Sequence, residues 1–414
     1  MGKYFSDVVE KAIEDIYYCY DSVRAKAGAE ALFLAAKEGD GDACYFLSRC
    51  FSGTCYSWEY HPFEENEEAA YAMLHKGISL GSAVAVLGAL RMDMLTPELK
   101  EIMPFSGVKE AWDIVNEKAE AGCQFCQYVI GNTYYFLDVI EIEERGESEF
   151  ESKDAWDDWR RDVMMQSVPL FEKAFVSGMG LAGRNLRNYY EDGRGTLIPP
   201  DPEKALEVRR QGAQMGYPDW MYELSYELCY KMEQTQEGLS LAMQAARLGH
   251  LKGWSIWGYA YYYGDGAEKD LSRALECFEK SAPYGEDPYS CGMAGAMYFL
   301  GQGAPQDYAK AVQYLEHCFV LGGRDRDTDM LGLCYLLGLG CRQDTARGRA
   351  LLERSGNTKY KNYGLGMMFA EGLGVPEDIG KGVEYLRAAG AYEPAREALK
   401  NYKKSLFGIW RRRG

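Results

Sequence analysis

Histidine is scarce, with four residues in 414, and His61, His75, His250 and His317 lie too far apart to suggest a nucleophile or a metal set. No run of 18 uncharged apolar residues occurs, which excludes a transmembrane helix. The first eleven residues lack the apolar stretch of an export signal, so a cytoplasmic location is expected. They do match Met-Gly-x-x-x-Ser at Gly2 and Ser6, an acylation pattern short enough to arise by chance. Positive charge is in deficit, with 46 Lys and Arg against 63 Asp and Glu and a net charge of −17. A phosphate-binding groove needs a basic surface, so nucleic acid is not an expected partner. Cys123-x-x-Cys126 has no second Cys or His pair at zinc spacing, so neither a metal nor a cofactor is expected.

What the chain does have is periodicity. Gly-x-x-aromatic-x-x-Gly-x-Gly-x-x-x-Asp recurs at Gly258, Tyr261, Gly264, Gly266 and Asp270, and at Gly295, Tyr298, Gly301, Gly303 and Asp307. It returns at Gly332, Tyr335, Gly338, Gly340 and Asp344, then at Gly366, Phe369, Gly372, Gly374 and Asp378. The aspartates are 37, 37 and 34 residues apart, the period of a solenoid of helix pairs. The paired glycines suit a helix that ends in the left-handed region and reverses. Each aspartate falls where the second helix needs an N-cap. The first glycine of each copy, inside a helix, costs roughly 1 kcal/mol against alanine and suggests a close backbone crossing.

The frame extends upstream with less regularity. Tyr190, Gly193, Gly195 and Asp201 repeat it with Pro199 and Pro200 inserted, and residues 220–249 keep the helix pair without the double glycine. Second-helix endings at 39, 81, 122, 178, 216, 249, 285, 322, 356 and 390 give about ten antiparallel helix pairs. The expected organisation is an N-terminal capping helix over 1–30 and degenerate repeats over 31–182 with an acidic insertion at 138–162. Clear repeats over 183–390 and a C-terminal capping helix with a basic tail over 391–414 complete it.

The Leu331, Gly332, Tyr335, Gly338, Gly340, Asp344 run resembles the Sel-1-like repeat family, a branch of the tetratricopeptide-like α-solenoids. The resemblance implies an all-α, right-handed superhelical solenoid whose concave face is lined by first helices. It also implies an intracellular scaffold or adaptor for other proteins or peptides, not an enzyme. A regulatory subunit of an enzyme, toxin or defence complex is the alternative. A hydrolase akin to cysteine-rich secreted relatives is a third reading. Those relatives staple each repeat with cysteines in register, whereas the twelve cysteines here drift against the frame, which favours reduced thiols.

Other motifs fail on context. Gly178-Met-Gly180-Leu-Ala-Gly183 fits a dinucleotide fingerprint, but an amphipathic helix precedes it and a turn is expected. Asp325-x-Asp327-x-Asp329 begins like a calcium loop, but Met330 and Leu336 occupy the glycine and glutamate positions, so a solvated inter-repeat turn is expected. His250, after Gly249, is expected to be exposed.

Positions one and four after the repeat glycine turn away from the helix-pair core. They give a partner-binding stripe of Tyr135, Tyr226, Tyr259, Tyr262, Phe299 and Leu336, with Asn132 and Asn188 in register. Such a stripe is either a contact surface or buried between neighbouring repeats. Ten acidic residues between 138 and 158 suit a basic partner or form a solvated, partly flexible insertion, with Trp156 and Trp159 making an apolar edge beside them. Secondary contacts could also come from Trp410, Arg411, Arg412 and Arg413 in the basic tail, where Leu406, Phe407 and Ile409 interleave with the charges.

Overall fold

Left-handed glycines end the helix pairs. Gly39, Gly81, Gly122, Gly178, Gly216, Gly249, Gly322 and Gly390 all have positive φ, eight of the ten endings read from the sequence. The computed structural model describes residues 4–18, 21–54, 63–282, 287–406 and 408–413. Gly2, His61, Gly285 and Phe407, and among the twelve cysteines Cys19 and Cys55, lie outside the described residues.

Among the described residues the protein is all-α apart from a short ribbon near its C-terminus, and it folds as two units, Met1–Leu224 and Ser225–Gly414. The first unit begins with the pair Asp7–Tyr17 and Ser22–Lys37, so residues 1–30 are not a lone capping helix. Ser6 and Asp21 cap these two helices, which packing through Val9, Ile16 and Leu32 then ties together. The next pairs are Gly41–Phe51 with Glu67–Ser79, and Ala83–Arg91 with Val108–Glu120. Gln124–Tyr135 with Ser167–Val176, and Gly180–Asp192 with Pro202–Gln214, complete the unit.

Helix Pro218–Tyr230 carries the division between the units, and Thr235–Arg247 follows. Four regular pairs come next: Lys252–Tyr263 with Leu271–Ser281, Pro288–Leu300 with Tyr308–Val320, Asp325–Leu337 with Thr345–Arg354, and Lys359–Glu371 with Ile379–Ala388.

The repeated residues have separate tasks. The first glycine of the turn (264, 301, 338, 372) is the left-handed C-cap of its helix. The second (266, 303, 340, 374) touches the first residue of the preceding second helix, respectively Thr235, Leu271, Tyr308 and Thr345. A Cβ on any of them would come within 3.0 Å of that residue, so the turn seats each pair on its predecessor. The aspartate side chain caps the next helix, and its amide donates to the repeat aromatic's carbonyl. These amide bonds are 3.0 Å at Asp270–Tyr261, 3.1 Å at Asp307–Tyr298, 2.9 Å at Asp344–Tyr335 and 2.8 Å at Asp378–Phe369. Three residues on, a cation lies over that same ring: Arg273 over Tyr261, Lys310 over Tyr298, Arg347 over Tyr335 and Lys381 over Phe369.

The glycine inside the first helix has a second cause beside the expected backbone approach, which brings second-helix main chain within 3.2 Å of a would-be Cβ at Gly295, Gly332 and Gly366. A Cβ there would first meet a large side chain of the second helix: Phe278 at 2.7 Å from Gly258, Leu315 at 2.8 Å from Gly295, Leu352 at 2.9 Å from Gly332 and Leu386 at 2.7 Å from Gly366. Glycine makes room for a buried ring or isobutyl group, and apolar burial of roughly 1.5–3 kcal/mol per large side chain offsets its propensity cost.

Candidate functional site

Among the stripe residues, three are interior. Phe299 is 3 % exposed, Leu336 0 % and Tyr135 5 %, so these side chains belong to the core and offer no surface. Phe299 packs on Tyr308 and Tyr360, Leu336 joins Leu352, Leu365 and Met368, and Tyr135 packs on Phe171 and Tyr189. Tyr135 and Leu336 are reached by the next repeat and Phe299 by the one after it, packing that the frame of a single helix does not contain.

The others are accessible. Tyr226 is exposed beside Tyr230, their ring centroids 4.9 Å apart. Tyr259 and Tyr262 are half-buried, and Tyr263, which the sequence frame missed, is exposed. The Tyr259 and Tyr263 rings stack at 6.2 Å, one helical turn apart, and Tyr262 donates to Gln302 Oε1 of the following turn at 3.2 Å. Burial pushes the Tyr259 hydroxyl up to about 12, so it stays protonated.

The first-helix position that bears Tyr259 recurs ten residues after the left-handed glycine ending each preceding pair. Gly39 leads to Arg49, Gly81 to Arg91, Gly122 to Asn132, Gly178 to Asn188, Gly216 to Tyr226 and Gly249 to Tyr259. In the first unit this position is basic or amide; in the second it begins as tyrosine. Counting from those glycines would have found Arg49 and Arg91 without the double-glycine motif.

Arg49, Arg91 and Asn132 line one cavity of the first unit, about 240 Å³ in volume, with Tyr45, Ser48, Tyr128 and Asn185 among its other walls. Arg49 donates from Nε to Tyr17 Oη at 2.8 Å, from Nη1 to Tyr45 Oη at 3.4 Å, and from Nη2 to the Thr54 carbonyl. The Tyr17, Tyr45, Phe125 and Tyr128 rings all lie within 6 Å of its Cζ. Arg91 pairs with Asp138 and lies over the Phe136 ring at 4.0 Å. Burial pushes the Asp138 carboxyl up to about 6, with Arg91 pulling it the other way. Asn185 Nδ2 donates to Asn132 Oδ1 at 2.5 Å.

The family profile described as Sel1 repeat matches residues 179–207, 255–282, 288–316, 329–357 and 362–391. These five segments are Sel1 repeats. Repeats of this kind generally mediate protein–protein interaction. Among solved structures, the chain is similar to a protective antigen of uropathogenic Escherichia coli displaying an SLR fold. That match has 19 % identity and a TM-score of 0.47, covering 91 % of this chain and 82 % of the other. A Sel1 repeat protein from Oxalobacter formigenes matches at 22 % identity and TM-score 0.42, covering 77 % and 84 %. An immunity protein from Pseudomonas aeruginosa matches at 20 % identity and TM-score 0.32, covering 45 % and 72 %. No curated protein matches the chain significantly.

Outside the matched Sel1 repeats, the acidic insertion is folded. It forms the helices Val139–Ile142 and Lys153–Met165, the second packed on Gln124–Tyr135. Val139, Ile142 and Trp156 are buried, and Trp156 stacks on half-buried Trp159 at 5.1 Å beside Phe150. Apolar anchoring gives the segment a defined path, while Glu141, Glu144, Glu147 and Glu151 remain in water.

The C-terminal segment is a short helix, Glu393–Leu399, followed by an antiparallel ribbon pairing Tyr402–Lys404 with Trp410–Arg412. The ribbon folds back on the last Sel1 repeat. Arg412 bridges Glu371 and Glu377 at 2.8 Å each, Trp410 lies 4.7 Å from the Arg387 guanidinium, and Arg413 donates to the Tyr402 carbonyl at 3.3 Å. Arg411 is exposed.

Two polar readings are corrected. Asp327 and Asp329 are 1 % and 0 % exposed, inside helix Asp325–Leu337, not in a solvated turn. Arg324 and Arg326 neutralise Asp327 at 2.9 and 2.7 Å, and Ser355 and Thr358 donate to Asp329. His250 is 4 % exposed, drawn inward at the start of the next helix pair. The left-handed Gly178 makes the expected turn, and Gly180 and Gly183 lie in the first residues of helix Gly180–Asp192 that follows it. No group of three or more metal-ligating side chains occurs among the described residues.

Proposed function

We propose that this protein is a non-catalytic scaffold that holds a protein partner against its first-helix faces. The observation that carries this reading is the position ten residues past Gly39, Gly81, Gly122, Gly178, Gly216 and Gly249, at least partly accessible in both units and bearing ligand-type side chains. Tyr226, Tyr230 and Tyr263 put large amphipathic rings into solvent, the residue type that dominates interface energy once desolvated. Sel1 repeats as a class point the same way.

The test is comparative capture with the full chain and a Tyr226→Ala/Tyr263→Ala variant, read by mass spectrometry alongside melting curves. Both side chains are exposed, so melting should be unchanged. A species retained by the wild type and lost from the variant supports the reading. If every captured protein is held equally by both, these tyrosines are ordinary surface and the reading fails.

A further inference from the structure

We propose that the Arg49 cavity of the first unit binds a carboxylate group. This goes beyond the partner reading, and it stands or falls without the tyrosines of the second unit.

Charge is the first argument. Among the described residues, three charged ones line the cavity, and the Arg91–Asp138 pair leaves Arg49 as the uncompensated cation of those three, in a chain of net charge −17. No carboxylate pairs with Arg49 among the described residues; its partners are two tyrosine hydroxyls and a carbonyl. A guanidinium withdrawn from water among four rings gains most from an anion, because the apolar walls weaken screening.

Donor count is the second. Of the five guanidinium N–H groups, Tyr17 takes the one on Nε, Tyr45 one on Nη1 and Thr54 one on Nη2. Among the described residues, one donor remains on each terminal nitrogen, the number a carboxylate's two oxygens accept. Asn132 adds to this. Its Oδ1 already accepts from Asn185, which leaves its amide N–H groups for an acceptor in the cavity it lines.

Size and valence select among anions. A cavity of about 240 Å³ admits one acid-bearing group of amino-acid dimensions. A monoanion neutralises the site, whereas a doubly charged phosphate would leave negative charge enclosed. The carboxylate comes either from the C-terminus of a peptide or from a small free acid.

The full chain is titrated, with ligand-observed NMR, with benzoate, benzamide and inorganic phosphate. Two degenerate hexapeptide pools free of Asp and Glu are added, one with a free C-terminal carboxylate and one amidated. At least one carboxylate probe should bind tenfold or more tightly than its neutral amide, with phosphate weaker than that probe. Arg49→Gln should abolish the preference. Tighter binding of the acid pool than of benzoate identifies a peptide source, and the reverse order a small free acid. Because Arg49→Gln removes three internal hydrogen bonds, Asn132→Leu serves as a second variant that narrows the cavity, deletes the amide donor and leaves those three bonds intact; it too should weaken carboxylate binding at least tenfold. Equal binding of acids and amides by the wild type overturns the proposal. So does a preference that survives in either folded variant.

Discussion

Gly338 and Gly340 share a backbone conformation, φ +70° and +69°, yet they should not tolerate alanine equally. At Gly338 a methyl group would meet only the Gln343 side chain and its flanking backbone, the nearest atom at 3.2 Å. The cost there is the left-handed conformation alone, about 1–2 kcal/mol, eased slightly by a stiffer unfolded chain. At Gly340 the same methyl would press on Tyr308 and Ala309 backbone atoms at the start of the previous second helix. Those atoms cannot rotate away, so the seat must open, adding about 1–3 kcal/mol of overpacking. Gly374, opposed by the Thr345 hydroxyl and Cβ, should fall between the two. Urea unfolding of Gly338→Ala, Gly374→Ala and Gly340→Ala, with m-values compared, checks the order. If Gly338→Ala and Gly340→Ala cost the same within about 0.5 kcal/mol, the second glycine is not the seat between repeats and that reasoning is wrong.

Phe299→Ala should lose about 3–5 kcal/mol in the same assay, as a buried ring does, whereas Tyr263→Ala should stay within about 0.5 kcal/mol. Similar losses for the two would contradict the burial described. Asp344→Ala removes the cap on Arg347 N and should cost about 1 kcal/mol, read as a shift in denaturation midpoint without a change in slope. Burial raises the Asp329 carboxyl from 3.8 to about 6, so its contribution to stability is full below pH 3.8 and gone above about pH 6. Asp329→Asn does not titrate. Its stability relative to wild type should therefore improve by about 2–3 kcal/mol between pH 4 and pH 7, and a flat difference would refute the raised value.

Local chemistry was legible in the sequence and neighbour packing was not. The left-handed glycines and the caps at Asp201, Asp270, Asp307, Asp344 and Asp378 follow from a few adjacent residues, and the structure places them as expected. Phe299 and Leu336 read as candidates for a groove because one helix cannot reveal how closely later repeats will cover it. Asp329 is satisfied by Ser355 and Thr358, 26 and 29 residues downstream, a partnership no spacing rule announces. Arg49 was hidden for another reason. Ser48 stands where later repeats carry the motif glycine, so the motif that marks the frame is missing where the cavity forms.

The glycine seat has a consequence for how such a chain can change. At Gly303 and Gly340 the stack is aligned by main chain resting on main chain, a joint indifferent to the side chains displayed elsewhere. Residues on the exposed helix faces can then be exchanged one at a time with the repeat register kept, so new specificities can be written onto an old frame.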